Sequence, residues 1–117
     1  MEMDKRKLRE HFLALRRSIG AGERRGADRA ICENVRLLEC WRDADCVALY
    51  ASDGEEPDLS GLFDGGGKQF YFPRYRAENK EYELVRVEDP GSELVRARYG
   101  LLEPRPELPA ASSGEWA

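Results

Sequence analysis

Residues 46–58 decide the fold of this chain, and they read CVALYASDGEEPD. The first part of the stretch is apolar over residues 47–50, and it ends at the turn residues Ser52-Asp53-Gly54. An apolar run of this length between turn residues is typical of a strand that is buried on both faces of a sheet. The stretch therefore predicts a strand within the sheet of an α/β domain, followed by a loop at its carboxyl end.

Three carboxylates lie in or just after this loop: Glu55, Glu56 and Asp58. Open α/β sheets bind ligands in loops at the carboxyl ends of parallel strands, so this loop is the first candidate site. A second interpretation stays open, in which Asp58 caps the next helix and the two glutamates are solvated, as surface carboxylates usually are.

Composition and charge limit the function classes. The 117 residues are 41% hydrophobic and 36% charged, which predicts a single domain with a packed core and strongly amphipathic elements. Residues 1–29 hold nine Lys and Arg against five Asp and Glu, a net charge of +4, and the remainder holds ten against eighteen, or −8. The asymmetry predicts an anion site near the N-terminus and argues against a general nucleic-acid binder.

The cysteines indicate a reducing compartment. Cys32, Cys40 and Cys46 have no CxxC spacing, and together with the one histidine, His11, they do not form a zinc-site pattern. We interpret them as buried or half-buried thiols. No apolar stretch approaches the roughly 20 residues that span a bilayer, and the N-terminus has no apolar signal region. These features predict a soluble cytoplasmic protein with no membrane partner.

An amphipathic helix is predicted over residues 5–18, because apolar residues recur at helical spacing along one face: Leu8, Phe12, Leu15 and Ile19. Asp4 is its predicted N-cap. Lys5, Arg6 and Arg9 lie in or near the first turn, where cations oppose the helix dipole. They either hold phosphates beside the N–H groups of the helix or form an exposed basic face, and both interpretations stay open.

The remaining elements follow in chain order. The sequence predicts helices at 23–40 and 59–64, strands at 69–72 and 82–87, a short extended piece at 93–95, a turn at 89–91 and a loop at 99–104. The strand–helix–strand order predicts that the first two strands are parallel. Gly65-Gly66-Gly67 lacks the spacing of a phosphate-binding loop and is a predicted connector. Residues 105–117 are rich in Pro, Ala, Ser and Gly and are predicted to be disordered.

A basic aromatic run follows the second strand. Pro73 is predicted to end that strand, which places Arg74, Tyr75 and Arg76 at a carboxyl strand end, on the same edge as Glu56. Two guanidiniums that flank an aromatic ring suit a flat, anionic ligand. The alternative is an exposed basic turn whose arginines pair with nearby acids.

Several segments, taken in order, carry a family resemblance: the basic start at 5–9, Trp41 with Ala44 and the strand at 47–50, Glu56-x-Asp58, Gly67-Lys68 before a strand that ends at Pro73, and Gly100-Leu101-Leu102-Glu103-Pro104. Together they resemble the 5-formyltetrahydrofolate cyclo-ligase (methenyltetrahydrofolate synthetase) family over about residues 5–104. The run Phe-Pro-Arg-Tyr-Arg at 72–76 is especially similar to eukaryotic members. The resemblance implies a three-layer α/β fold of the CoA-transferase-like kind, with a parallel-containing sheet between helices.

The resemblance also implies a ligase of folate one-carbon metabolism that uses ATP and magnesium. In this family the formyl oxygen of 5-formyltetrahydrofolate is phosphorylated, N10 closes the ring, and loss of phosphate gives 5,10-methenyltetrahydrofolate and ADP. The implied ATP-binding residues are Lys5, Arg6, Lys7, Leu8 and Arg9, with Lys5 and Arg9 as the main cations. The implied folate-binding residues are Glu56 and Ala51 at the pterin ring and Tyr75 and Tyr82 along the pocket.

The sequence departs from the family pattern after residue 104. The family continues with another strand, a glycine- and tyrosine-rich ATP loop and a metal-binding aspartate, and this sequence contains none of them. We therefore predict an N-terminal part of the cyclo-ligase domain at 1–104, in a fragment or a truncated or frameshifted product that is inactive alone. An incomplete sheet would leave an open edge for self-association. Two other interpretations stay open, namely a non-catalytic folate- or nucleotide-binding remnant and an α/β interaction domain.

Overall fold

The computed structural model describes residues 4–52, 54, 56–63, 67–97 and 100–116, apart from the side chains of Ser113 and Trp116. Helices and a mixed sheet make up this part of the chain, which confirms the predicted α/β class. The helices are α1 (Lys5–Arg17), α2 (Ala21–Leu37), α3 (Glu39–Asp43), α4 (Pro90–Glu93) and α5 (Ser113–Trp116), with a 3₁₀ turn at Ser60–Leu62. The strands are β1 (Cys46–Ala48), β2 (Gln69–Arg76), β3 (Glu81–Val87), β4 (Leu94–Arg96) and β5 (Leu102–Pro104).

β2 is the middle strand of a three-stranded sheet with the order β1-β2-β3. β1 pairs with β2 in parallel, as the strand–helix–strand order predicts, with Val47 opposite Phe70. β3 is antiparallel to β2, and β4 and β5 form a separate antiparallel pair. Because β1 and β2 are parallel, their carboxyl ends lie at the same end of the sheet, and the loop after β1 begins there.

Aromatic side chains on one face of the sheet form the core. Phe70, Phe72 and Val87 are buried together. Phe63 packs edge-on against both phenylalanines, with ring centroids 5.9 Å from Phe70 and 5.2 Å from Phe72. Trp41 of α3 lies 6.3 Å from the ring of Phe70. Since burial of one large apolar side chain stabilises a fold by roughly 1.5–3 kcal/mol, this cluster fixes α3 and Phe63 to the sheet.

β1 is shorter and less buried than the sequence predicts. Beyond its three residues, Leu49 continues the ladder by donating its N–H to the carbonyl of Tyr71 at 2.9 Å. Val47 is half-buried and Ala48 is exposed, so the prediction of a strand buried on both faces is wrong for the described residues. Trp41 packs with Val47 on the Phe70 face, whereas Ala48 is exposed on the other face, beside the buried Tyr71.

Pro73 lies inside β2, so the prediction that it ends the strand is wrong. The proline is tolerated because β1 stops opposite Tyr71, which leaves β3 as the strand paired with β2 at this position. Pro73 faces Leu84 in the register. The two residues form a pair whose backbone polar groups point away from each other. The missing N–H of the proline therefore removes no hydrogen bond between β2 and β3. The three residues after Pro73 consequently belong to β2 and not to a loop.

Residues 105–116, which the composition predicts to be disordered, contact all three strands of the sheet, since the carbonyl of Glu115 lies 3.5 Å from the thiol of Cys46 in β1. The carbonyl of Leu84, directed away from β2, accepts the N–H of Ala111 at 2.8 Å. Arg74 donates to the carbonyls of Arg105 and Leu108, both at 2.8 Å. The bond from Ala111 occupies a backbone carbonyl that the edge strand β3 would otherwise expose.

The variant Ala111→Pro tests this edge contact. The proline removes the N–H that Leu84 accepts, so we expect a loss of about 1 kcal/mol in the free energy of unfolding, measured by urea titration. Ala110→Pro is the matched control, because the edge contact uses the N–H of Ala111. Equal losses in the two variants would contradict the contact.

Other boundaries also differ from the sequence prediction. The helix predicted over 23–40 ends at Leu37, because Leu38 adopts an extended backbone with ψ of 135° and α3 begins after it. The helix predicted over 59–64 is a 3₁₀ turn, part of the loop predicted over 99–104 is β5, and the turn predicted at 89–91 opens α4. The predicted connector falls largely on residues 64–66, which lie outside the described part of the chain.

The thiols are only partly as predicted. Cys32 is buried, Cys46 is half-buried and Cys40 is exposed, so the prediction is wrong for Cys40. Burial raises the pKa of the Cys32 thiol, which keeps it protonated near neutrality. Within the described ranges, no helix combines the length and apolar character needed to cross a membrane.

Candidate functional site

The acidic loop, defined as residues 52–58, is held in shape by hydrogen bonds to its own backbone. The Ser52 hydroxyl accepts the N–H of Gly54 at 3.1 Å and donates to the carbonyl of Glu56 at 2.8 Å. The Tyr50 hydroxyl donates to the carbonyl of Pro57 at 3.1 Å. These bonds fix the backbone at Glu56. Glu56 itself is exposed, so its carboxylate can accept hydrogen bonds from a ligand. Asp53 and Glu55 lie outside the described residues.

A cleft of about 420 Å³, the acidic-loop cleft, lies between this loop, α2 and the end of α1. Its lining is apolar at four residues and charged at five: Ile19, Ala27, Ile31 and Pro57, and Arg16, Arg24, Asp28, Glu56 and Asp58. Small-molecule sites typically measure about 300–1,000 Å³ and combine apolar walls with a few polar groups. The acidic-loop cleft has the size and the lining of such a site.

Arg24 of α2 ties the acidic loop to α1. Its Nη1 group donates to the carbonyl of Gly54 at 2.6 Å, and its Nη2 group donates to the carbonyl of Arg16 at 2.8 Å. No local sequence pattern indicates this role of Arg24, since Arg24 and Gly54 are thirty positions apart. Ser52 was also missed as a functional residue, although Ser-x-Gly is a recognisable turn pattern.

Asp58 is not the N-cap that the second interpretation of the loop predicted, because Leu59 occupies that position, but Asp58 lies directly before it and orders the start of the 3₁₀ turn. Its Oδ1 atom accepts the N–H of Ser60 at 2.9 Å and so begins the 3₁₀ turn. The carbonyl of Asp58 lies 3.7 Å from the thiol of Cys32, which attaches the end of the loop to α2. Asp58 therefore positions the loop, and Glu56 is the candidate for a ligand contact.

The predicted ATP-binding residues form the first turn of α1. The Asp4 side chain accepts the N–H of Lys7 at 2.8 Å, which confirms the predicted N-cap. Lys5, Lys7 and Arg9 are exposed. The Nε atom of Arg6 lies 3.8 Å from Oε1 of Glu10, and both of these side chains are also exposed. This turn contains no acidic side chain. It presents a concentrated positive charge to solvent.

The apolar face of α1 is also exposed. Leu8, Phe12, Leu15 and Ile19 lie on the predicted face and are 40–54% exposed. No residue of α1 is buried. The helix is therefore attached to the described part of the chain mainly near its C-terminal end, where Arg16 and Ile19 line the acidic-loop cleft.

Tyr75 and Tyr82 lie together on a different part of the sheet. They face each other across β2 and β3, with ring centroids 5.3 Å apart in an edge-on arrangement. Tyr82 is 67% exposed. Tyr75 lines a second cleft, of about 580 Å³, beside the β4–β5 pair. The acidic-loop cleft contains neither tyrosine.

The arginines beside Tyr75 are engaged with acids. Arg74 donates to Glu83 at 2.7 Å through Nε and pairs with it at 2.6 Å through Nη2, and both side chains are almost buried. Arg76 lies 3.0 Å from the other oxygen of Glu83. The structure therefore favours the interpretation in which these arginines pair with nearby acids, although they lie in a strand and not in an exposed turn.

Ala51, the remaining predicted folate contact, is half-buried and packs against the cluster of Phe70, Phe72 and Val87. Glu56, which the resemblance places at the same pterin ring as Ala51, lines the acidic-loop cleft instead. The structure thus places the four predicted folate residues in three surroundings. Among the residues that the structure describes, no cluster of three His, Cys, Asp or Glu side chains could hold a metal ion.

Comparisons with known proteins agree on one family. A family model described as the 5-formyltetrahydrofolate cyclo-ligase family matches residues 1–115. No curated protein matches the chain. The NMR structure of Aquifex aeolicus 5,10-methenyltetrahydrofolate synthetase superposes with a TM-score of 0.76 and 30% identity, over 93% of this chain and 55% of that one. The chain thus spans about half the length of that synthetase, and it belongs to the 5-formyltetrahydrofolate cyclo-ligase family.

Proposed function

We propose that this chain supplies the folate-binding loop and the ATP-binding helix of a 5-formyltetrahydrofolate cyclo-ligase. The reaction is the ATP-dependent conversion of 5-formyltetrahydrofolate to 5,10-methenyltetrahydrofolate. The observation that carries the proposal is that Glu56 lines a ligand-sized cleft whose other wall includes the end of α1. The membership of the chain in the cyclo-ligase family supports the choice of substrate.

Glu56 is the proposed pterin contact. A pterin presents adjacent N–H donors at one edge, and a carboxylate accepts two such hydrogen bonds at once. The apolar lining of the cleft by Ile19, Ile31 and Pro57 suits the flat faces of the ring. Ala51, Tyr75 and Tyr82 are proposed folate contacts because of the family resemblance. None of them lines the acidic-loop cleft, so they would contact other parts of the folate, or would reach it after the loop rearranges.

The first turn of α1 is the proposed ATP segment. Lys5 and Arg9 offset the negative charge of the phosphates, and Arg6, Lys7 and Leu8 complete the segment. Magnesium accompanies ATP in the proposed reaction, but the described residues contain no cluster that fits it, so we assign no residue of this chain to the metal.

Replacing both Lys5 and Arg9 by alanine tests the ATP segment. We expect the dissociation constant for ATP to rise by roughly tenfold at low salt and by less at high salt, because exposed charges are screened. Isothermal titration measures it. The control is the double variant Arg25→Ala with Arg42→Ala, which removes the same charge from exposed positions on α2 and α3. A similar loss of affinity in the control would contradict a specific role of α1.

A direct assay tests the whole reaction. The chain is incubated with 5-formyltetrahydrofolate and magnesium-ATP, and the absorbance of the methenyl product is followed. Our expectation is folate binding with little or no turnover, since the chain spans 55% of the synthetase that it resembles. Catalytic turnover would show that this chain handles both substrates by itself. Absence of any folate binding would favour the plain α/β interaction domain.

The second candidate function is a non-catalytic folate- or nucleotide-binding module. The same length relation to the synthetase favours it, and folate binding without turnover is its expected signature. We also propose a cytoplasmic location, on the basis of three thiols without disulfides, and self-association through the outer edge of β1. Sedimentation velocity over a range of concentrations tests the self-association.

A further inference from the structure

Arg24 joins the two elements to which the proposed function assigns the substrates. One of its guanidinium nitrogens donates to Gly54 in the acidic loop, and the other donates to Arg16 in α1. It also lines the acidic-loop cleft itself. A single side chain therefore holds the loop of Glu56 against the helix that carries the proposed ATP segment.

The orientation of α1 relative to the acidic loop depends on hydrogen bonds such as the one from Arg24 to Arg16. None of its residues is buried, and Phe12 in its middle is 54% exposed. An isolated helix of this length is marginal in water, so tertiary contacts, such as those of the half-buried Leu13 and of Arg16, stabilise and orient it. Arg24 binds the carbonyl of Arg16, in the last turn of α1.

A small change in that orientation matters for phosphoryl transfer. The helix rises about 1.5 Å per residue, so Arg9 lies roughly 10 Å along the axis from Arg16. A tilt at the tied end therefore moves the proposed ATP segment relative to the loop. Reacting atoms must approach within about 3–3.5 Å, and a displacement of about 1 Å can lower a rate by 100-fold.

We propose that Arg24 is a positioning residue that couples the ATP and folate sites by fixing α1 against the acidic loop. The inference rests on the proposed function. A guanidinium suits this bridge, because two different N–H groups of a planar fork reach two carbonyls of separate elements. A lysine keeps the positive charge and can also donate to two carbonyls, as Lys68 does to Trp41 and Ala44. Its single nitrogen cannot occupy both Nη positions of Arg24, so we expect it to restore the bridge only in part.

Binding linkage measures the coupling. The full chain is titrated with 5-formyltetrahydrofolate with and without a saturating, non-hydrolysable ATP analogue and magnesium. In the wild type we expect the analogue to tighten folate binding by roughly fivefold or more, the lower end of typical coupling between sites. Arg24→Met should reduce this factor to below about twofold, and Arg24→Lys should give a value between those of Arg24→Met and the wild type. Arg25→Met, a matched control on the same helix, should keep it.

Two results would overturn the role of Arg24. One is undiminished coupling in Arg24→Met, and the other is a wild type that binds folate without any effect of the analogue. Failure of the wild type to bind folate contradicts the proposed function instead, and hydrogen exchange then decides on Arg24. We expect the amides of Gly54 and Glu56 and those of the last turn of α1 to exchange roughly tenfold faster in Arg24→Met than in Arg25→Met. Equal exchange rates would refute the tie.

Discussion

Replacement of Glu56 by glutamine is expected to weaken the binding of 5-formyltetrahydrofolate by roughly 10- to 100-fold. Hydrogen bonds to a charged acceptor contribute roughly 1.5–3 kcal/mol, and each 1.4 kcal/mol is about a tenfold change in affinity. Glutamine has nearly the same shape, but it replaces one acceptor oxygen with an NH₂ donor that faces the donor edge of the pterin. The loss should therefore exceed that of a simple charge removal. Isothermal titration measures it.

The control for this variant is Glu39→Gln, which changes an exposed glutamate on α3 in the same way. It should bind folate like the wild type. A second check is the fold itself, because the backbone at Glu56 is held by Ser52 and not by the Glu56 carboxylate. Glu56→Gln should consequently melt at the wild-type temperature. Equal folate affinities of Glu56→Gln and the wild type would remove Glu56 from the site.

Replacement of Glu83 by glutamine is expected to lower the free energy of unfolding by about 3–5 kcal/mol, the usual cost of breaking a buried ion pair on one side. The side chains of Arg74 and Glu83 are only 12% and 14% exposed. The variant leaves the guanidinium of Arg74 in the protein interior without its carboxylate partner. Arg74 also donates to Arg105 and Leu108, so the loss should loosen the segment beside β3. Urea unfolding and hydrogen exchange measure the two effects.

The ion pair also sets a pH dependence. Burial of Glu83 acts to raise the pKa of its carboxyl, but hydrogen bonds from Arg74 and Arg76 outweigh it and hold that pKa below its ordinary value. A carboxyl with a lowered folded-state pKa contributes stability above its unfolded-state pKa, and the contribution is lost as pH falls through the folded-state pKa. The stability difference between the wild type and Glu83→Gln should therefore be full at pH 7 and shrink on acidification below about pH 4.3. A difference that grows on acidification would contradict this account.

Glu78 provides the matched control for Glu83. It pairs with Arg76 at 3.6 Å, but its side chain is 76% exposed, and exposed ion pairs contribute little. Glu78→Gln should therefore unfold at nearly the same urea concentration as the wild type. If the two glutamine variants were destabilised equally, burial of the Arg74–Glu83 pair would not be the cause.

Local patterns in the sequence predicted the elements that depend on local physics. The helical spacing from Leu8 to Ile19 and the N-cap at Asp4 predicted α1 to within one residue at its C-terminal end. The strand–helix–strand order predicted the parallel pairing of β1 with β2. The loop containing Glu56 was placed at the end of β1 by the same reasoning, and it does line a cleft. These features follow from neighbours in the chain.

The features that the sequence missed depend on distant partners. Pro73 looked like the end of a strand, because the tolerance of a proline is decided by where β1 stops and by the facing Leu84. The arginines after it looked like ligands for an anion, because their partner Glu83 comes from another strand. Arg24 gave no signal, since its two acceptors are backbone carbonyls that any residue type could supply. Such contacts are fixed by tertiary structure.

The most direct test of the account is a calorimetric titration of the wild-type chain with 5-formyltetrahydrofolate, repeated with Glu56→Gln and Glu39→Gln. The account predicts one folate per chain, weakened roughly 10- to 100-fold in Glu56→Gln and unchanged in Glu39→Gln. Saturable binding that Glu56→Gln leaves intact would move the folate site away from the acidic-loop cleft. A wild-type chain that takes up no folate would contradict the claim that this cleft is a folate site.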